Sequence, residues 1–288
     1  MTSSLNRIAT IGFFDGVHRG HQYLFEHLRT ITDQRKLAPL IVTFEEHPRA
    51  ALQADYMPHL LTTPSERKSL LSRYGEVLML PFEQIQPMTA AEFMAWLHTY
   101  YDVSVLLMGY DHRFGSDRLL HPQDYRRIGE TQGIEVLTMS EYLEGEWHVS
   151  STEIRLALEN GNIALANELL GRPYSLFGTV VHGKAVGRTI GFPTANIMPD
   201  DPDKIIPKPG VYEVTVTGDG LQAAGFCNID HRQTIEVHIP SFQGDLYDRK
   251  LELLFVRWLR DEKHFEDLET LRTQIQSDID SFCKKNCK

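Results

Sequence analysis

Gly12-Phe13-Phe14-Asp15-Gly16-Val17-His18-Arg19-Gly20-His21 ends an apolar run, Ile8–Phe14, and leads into Leu24, Leu28 and Ile31 at helical spacing. The order is strand, glycine turn, helix start. A helix N-terminus presents unpaired N–H groups and a positive dipole end, both suited to phosphate oxygens. Glycines at 12, 16 and 20 let the backbone approach a ligand and take up positive φ. His18 and His21, on either side of Gly20, can serve the same phosphate group. In a parallel α/β sheet this turn lies at the carboxyl end of the first strand, where ligands bind. The plainer reading, two surface histidines in a turn, leaves the glycine spacing without a purpose.

Outward from that stretch, Pro39–Phe44, Val77–Phe82, Ser104–Tyr110 and Ile134–Met139 read as further strands. Thr63-Pro64-Ser65-Glu66 and Thr89-Ala90-Ala91-Glu92 have capping-box spacing, the first with proline at the opening helical position. Alternating strands and helices imply parallel pairing by crossovers, and the apolar strands imply a sheet covered on both faces. Ser150-Ser151-Thr152-Glu153 opens another helix that Gly161 closes, and Ile163–Leu170 is a short helix stopping at Gly171.

The texture then changes. Phe177–His182, Val211–Thr217, Gln222–Ile229, Ile235–Phe242 and Leu251–Leu259 are β-like runs with little helix between them. Alternation, as at Val211, Val214 and Val216, marks a small antiparallel barrel or sandwich. A last helix, Leu268–Phe282, carries Leu271, Ile275, Ile279 and Phe282 on one stripe. The expected domains are residues 1–161 and 162–288, in line with the usual size of a domain in a chain of 288 residues.

Composition, 42% apolar and 24% charged, is that of an ordinary globular protein. A net charge of −10 argues against a basic nucleic-acid surface, though local clusters can still hold phosphates. Cys227, Cys283 and Cys287 are too few for a disulfide scaffold and form no CxxC pair. Met1-Thr2-Ser3-Ser4 lacks a signal-peptide layout, and no apolar run approaches the ~20 residues of a membrane span. A cytoplasmic protein without nucleic-acid or membrane partners is expected; the oligomeric state is not set by these features.

A second glycine-spaced run follows at Gly178, Gly183, Gly187 and Gly191, with Lys184 and Arg188 among them and Phe192-Pro193-Thr194-Ala195-Asn196 after. Glycines let backbone wrap a polyphosphate. Thr194 and Asn196, two apart on extended chain, face one side, where a hydroxyl and an amide oxygen suit Mg²⁺.

Gly12–His21 resembles the HxGH signature of the nucleotidyltransferase superfamily in the form found in prokaryotic FAD synthetases. Thr43-Phe44-Glu45-Glu46-His47-Pro48, Gly109-Tyr110-Asp111-His112-Arg113-Phe114-Gly115 and Val149-Ser150-Ser151-Thr152-Glu153-Ile154-Arg155 resemble that family's later blocks. The resemblance implies a Rossmann-like domain that transfers adenylyl from ATP to FMN, releasing pyrophosphate. It places His18 and His21 on ATP phosphates, with Gly12, Phe13 and Gly20 beside them. Ser151, Thr152 and Arg155 would hold the triphosphate, Asp111 would orient Mg²⁺ or phosphate, and Phe114 would lie against flavin. Alone, Ser150 reads as a helix cap and Arg155 as a solvated helix residue. His112 departs from the family, which more usually has an aromatic there.

Leu170–Ile197 resembles the riboflavin kinase module that follows in the bifunctional members, a six-stranded barrel. That implies phosphorylation of riboflavin by ATP, with Gly183, Lys184, Gly187 and Arg188 around the phosphates and Thr194 and Asn196 holding Mg²⁺. Glu236 in Thr234-Ile235-Glu236-Val237-His238 maps to the carboxylate that accepts the ribityl hydroxyl proton; alternation alone makes it a solvent-facing strand residue. Arg260 and Glu262 fall in a segment resembling the flavin end. The connection Asp230-His231-Arg232-Gln233-Thr234-Ile235 is shorter than in the family. Riboflavin, FMN, FAD and ATP are the expected small-molecule partners. Two alternatives stay open: an FMN adenylyltransferase whose barrel is a non-catalytic flavin-binding module, or nucleotide transfer to another phosphate ester.

Overall fold

The computed structural model describes residues 6–286, except 54, 111, 120, 145–146, 184–186, 188–189 and 264–266. Cα proximity divides the chain into two compact units, Met1–Glu153 and Ile154–Lys288. The division falls inside the helix Ser151–Glu159.

The first unit runs β1 (Arg7–Ile11), α1 (Arg19–Arg35), β2 (Ala38–Phe44), α2 (Pro48–Leu52), α3 (Pro64–Leu71), β3 (Glu76–Leu80), α4 (Phe82–Ile85), α5 (Ala90–Tyr101), β4 (Val103–Met108), α6 (Pro122–Gln132) and β5 (Glu135–Thr138). A two-stranded ribbon, β6 (Leu143–Glu144) with β7 (Trp147–His148), precedes α7 (Ser151–Glu159). The main sheet has five strands in the order β3-β2-β1-β4-β5, every pair parallel. Chain order therefore reverses between β1 and β4, which makes their carboxyl ends the switch point where such sheets bind ligands.

Side-chain alternation sends Ile8, Ile41, Val105 and Leu107 to one face, packed with Leu24, Phe25 and Leu28 of α1. Ala9, Ile11, Leu40, Val42 and Leu106 go to the other, with Phe93, Met94 and Leu97 of α5. Burial of each such aliphatic side chain contributes roughly 1.5–3 kcal/mol. The Thr63 and Thr89 capping boxes are formed: the two hydroxyls accept from Glu66 N and Glu92 N, and each glutamate returns to the cap backbone; at Ser150, also at capping-box spacing, the hydroxyl accepts from Glu153 N.

Some boundaries move. β1 stops at Ile11, not Phe14, because Phe14 is left-handed at φ 55°. β3 stops at Leu80, since Pro81 precedes α4, which takes Phe82. Helices α2, α4 and α6 lie outside those expected from the sequence.

The second unit takes the remainder of α7, then α8 (Ile163–Leu170), which ends at Gly171 in left-handed conformation (φ 69°) as expected. β8 (Tyr174–Val181), β9 (Thr194–Pro199), β10 (Gly210–Gly218), β11 (Leu221–Ile229), β12 (Ile235–His238) and β13 (Lys250–Arg260) close into a barrel, order β10-β11-β12-β9-β8-β13. Leu176, Val180, Ile197, Val214, Val216, Val237, Leu253 and Phe255 are among its buried residues. β9 is a sixth strand beyond the five runs read from periodicity, and β12 ends at His238 rather than Phe242. Asn167 of α8 bridges two strands, donating to Phe255 O at 2.9 Å and accepting from Tyr174 N at 2.7 Å. A final helix, α9 (Leu268–Asn286), follows.

The short β11–β12 connection is a closed turn. Asp230 N donates to Thr234 O at 3.1 Å, and Asp230 Oδ1 accepts from Arg232 N at 2.8 Å and Thr234 N at 2.7 Å. The ladders on both sides of β12 keep their register, Asn228 opposite Glu236 and Glu236 opposite Asn196.

Candidate functional site

In the first unit, the turn after β1 is held from beneath. Asp15, 3% exposed, accepts from Leu61 N at 3.0 Å, Thr62 N at 2.9 Å and the Thr62 hydroxyl at 3.0 Å. The Thr62 hydroxyl in turn accepts from Gly16 N at 3.0 Å. This network fixes a backbone in which Phe14 (φ 55°) and the β-branched Val17 (φ 42°) both lie in the left-handed region. Such conformers cost on the order of 1–2 kcal/mol for a residue bearing Cβ. Beside it the Arg67 guanidinium, fully buried, sits 4.1 Å over the Phe13 ring and donates to Phe44 O at 2.6 Å. Burial pushes the Arg67 pKa down to about 10, with the Asp15 charge opposing the shift.

The histidines sit on that foundation. His18 is the N-cap of α1; its Nδ1 accepts from His21 N at 3.4 Å, and the two rings stack with centroids 3.6 Å apart. Phe14 packs edge-on against His21. Gly12 N donates to Val42 O at 3.1 Å, Phe13 O accepts from the Thr43 hydroxyl at 3.1 Å, and Gly20 lies in the first turn of α1. His47, which caps α2, meets the Phe13 ring edge-on at 4.7 Å. From α7, the Ser151 hydroxyl donates to Asp15 O at 2.9 Å, while Ser150 accepts from Glu153 N. Thr152 is exposed. Arg155 follows Ser151 by four residues on α7 and so shares its side of the helix. Phe114 packs among Phe93 and Tyr125, its N and O both bonded to the Tyr125 hydroxyl. His112 is partly exposed, yet its Nε2 is buried without a hydrogen-bond partner among the described residues, and burial lowers its pKa to about 4. Asp111 lies outside the described residues.

In the second unit, strand pairing assembles the site. Asn196 lies opposite Glu236 and Thr194 opposite His238, with the Thr194 hydroxyl donating to Glu236 Oε2 at 3.3 Å. Ile235 and Val237 fill the interior, so Glu236 and His238 share the other face. Gly183 approaches Asn196 so closely that a Cβ there would stand 2.2 Å from its Nδ2. Gly187 O accepts from Phe192 N at 2.8 Å, holding the loop into β9. Lys184 and Arg188 lie outside the described residues.

A cavity of about 210 Å³ is lined by Thr194, Asn228, Glu236, His238, Arg260, Glu262 and Asp278, with Phe192 and Phe226 supplying apolar wall. Arg260 is anchored in it by Asp278 of α9, at 2.8 and 3.1 Å. A second cavity of about 400 Å³ is lined by Val180, Ile239, Phe242, Leu246 and Tyr247; Thr194 belongs to both. The hydroxyl, amide and carboxylate oxygens of Thr194, Asn196 and Glu236 are the hard donors that Mg²⁺ selects. Asp15, Arg67, His238 and Asp278 stand outside the site residues expected from the sequence. Each bonds to a partner well separated along the chain, so no local spacing announces it.

Among the described residues no helix is long and apolar enough to cross a membrane. Residues 2–153 match the family described as FAD synthetase, and residues 170–285 match riboflavin kinase. A bifunctional riboflavin kinase/FMN adenylyltransferase of Escherichia coli is 36% identical, over 94% of this chain and 90% of that protein. One from Bacillus subtilis is 32% identical, over 94% of this chain and 90% of its own length. A crystal structure described as a macrolide-efflux protein from Streptococcus pneumoniae superposes with a TM-score of 0.86 at 31% identity, covering 97% of this chain and 94% of that one.

Proposed function

The chain belongs to the bifunctional riboflavin kinase/FMN adenylyltransferase family, and from that premise we propose which residues carry each transfer. Its two activities are phosphorylation of riboflavin to FMN and adenylylation of FMN to FAD, with ATP as donor in both.

The observation that carries the kinase assignment is the Thr194–Glu236 contact at 3.3 Å, in which Thr194 lines both cavities and Glu236 one of them. The ribityl hydroxyl, with the flavin in the Glu236 cavity, gives its proton to the Glu236 carboxylate as its oxygen attacks the γ-phosphorus. The γ-phosphorus bond to the bridging oxygen breaks, and ADP leaves toward the cavity beyond Thr194. General-base assistance of this kind contributes about 10²–10⁴ in rate. Thr194 and Asn196 would hold Mg²⁺, which supplies charge neutralisation on the phosphoryl oxygens. Gly183, Lys184, Gly187 and Arg188 are assigned to the nucleotide phosphates, and Arg260 and Glu262 to the flavin.

For adenylyl transfer the FMN phosphate is already an anionic nucleophile, so positioning and charge stabilisation dominate. An FMN phosphate oxygen attacks the α-phosphorus of ATP and the α–β bridge breaks to release pyrophosphate. His18 and His21 contact the phosphates at the start of α1, beside Gly12, Phe13 and Gly20. Ser151, Thr152 and Arg155 hold the triphosphate, Arg155 with its planar, permanently charged fork. Asp111 orients metal or phosphate, and Phe114 borders the flavin. This reading includes Mg²⁺ dependence, a cytoplasmic location and no nucleic-acid partner.

The test is a chromatographic time course with riboflavin, ATP and Mg²⁺ in one tube and FMN, ATP and Mg²⁺ in another. Glu236→Ala should stop only the first reaction, and His18→Ala should stop FAD formation in both. FAD from the second tube with neither FMN nor FAD from the first would remove the kinase assignment.

A further inference from the structure

We propose that His238 is a positioning residue for phosphoryl transfer: its Nδ1–H clamps the Pro193–Thr194 peptide so that Thr194 stays in register with Glu236. The inference rests on the kinase reading of the Glu236 site.

His238 ends β12 and Thr194 begins β9, and the ladder places the two opposite each other. Directly opposed residues of an antiparallel pair have Cβ atoms about 4.5–5.5 Å apart, so one side chain can govern its neighbour's backbone. The His238 Nδ1 lies 2.9 Å from Pro193 O. A carbonyl oxygen only accepts, so Nδ1 carries the hydrogen. Phe192 packs edge-on to the same ring, centroids 5.5 Å apart at 87°. The imidazole is thus held from two sides by the residues that immediately precede Thr194.

The clamp answers a specific weakness. Proline has no N–H to give the ladder, and the backbone hydrogen bonds of Ile190 and Phe192 run back to Gly187. Those bonds tie the loop to itself. The His238 contact ties the loop to β12, the strand that carries Glu236 two residues earlier on the same face. Slack at Pro193 would pass directly into the Thr194–Glu236 separation of 3.3 Å. Misplacement of a reacting group by about 1 Å costs on the order of 10²-fold in rate.

Asparagine and glutamine separate the two ring nitrogens. An asparagine amide N–H reaches where Nδ1 sits, whereas a glutamine amide reaches where Nε2 sits. We expect His238→Ala and His238→Gln to lower kcat for riboflavin phosphorylation by roughly tenfold to a hundredfold, with KM for riboflavin and ATP little changed. His238→Asn should recover kcat to within about threefold of the parent. FMN adenylylation by the same full-length chains reports folding of each preparation, and thermal unfolding reports the barrel. If His238→Ala fails to fold, the asparagine–glutamine pair still decides. Recovery by glutamine instead of asparagine, full kinase activity in every variant, or a loss confined to KM would each overturn the proposal. Glu236→Ala runs alongside. Kinase activity surviving it overturns the site reading and this proposal together, whereas its loss there with survival in all His238 variants overturns the proposal alone.

Discussion

Replacing Asp15 by alanine removes the foundation of the turn that carries His18. Three hydrogen bonds end on that carboxylate, from Leu61 N, Thr62 N and the Thr62 hydroxyl, and all of these residues are nearly inaccessible to water. Hydrogen bonds to a charged group contribute about 1.5–3 kcal/mol each, and buried donors left unpaired add a desolvation cost. The Asp15 charge also favours the buried Arg67 cation; stranding such a cation typically costs about 3–5 kcal/mol. Water entering the new space offsets part of the total, so a loss of roughly 3–5 kcal/mol from the first unit is expected. In a unit of that size each kcal/mol moves the midpoint about 2–4 °C. Calorimetry should show one transition lowered by roughly 6–20 °C and the other unmoved. FMN adenylylation should fall by more than tenfold, because Phe14 and Val17 relax out of their left-handed conformers, while riboflavin phosphorylation persists. A cost below about 1 kcal/mol with adenylylation intact would refute the reasoning.

His112 should make the first unit acid-sensitive. Its folded pKa, lowered by burial to about 4, lies below the ordinary 6.5, so the unfolded chain takes up the proton first. Stability is unaffected above pH 6.5 and declines by roughly 2–3 kcal/mol as pH falls toward 4; His112→Phe should flatten that limb in urea titrations. Gly183→Ala forces Asn196 aside, since the new Cβ would stand 2.2 Å from its Nδ2; steady-state assays should find riboflavin phosphorylation down roughly tenfold to a hundredfold and FAD formation from FMN unchanged. Asp278→Ala frees the Arg260 fork from α9, and the KM for riboflavin should rise by roughly tenfold with kcat largely retained.

Local signals were the legible ones. Thr63 and Thr89 with glutamate three residues on gave helix starts that the structure reproduces, and Gly171 gave a stop. Glu236, with its isoleucine and valine neighbours, was placed on the correct face by alternation. β9 is absent from the periodic runs because Thr194, Ala195 and Asn196, although read as extended chain, carry no apolar alternation; the strand exists through pairing with β8 and β12 on either side. α6 escaped because His121 gives it no side-chain cap and its sequence is mostly polar. The Asp15–Thr62 and Arg260–Asp278 contacts join residues far apart in the chain, and only the folded topology brings them together.

The Asp230 carboxylate closes the turn at Asp230–Thr234 and His231 reaches out to Glu262 at 3.3 Å, while the ladder's alignment is dictated by the flanking strands. For the ladder, loop length there is consequently a free variable. Closing a longer flexible loop costs only about 0.6 kcal/mol for each doubling of its length, so this corner of the barrel can gain or lose residues over evolutionary time, or accept a fused peptide in the laboratory, without disturbing the carboxylate next to it.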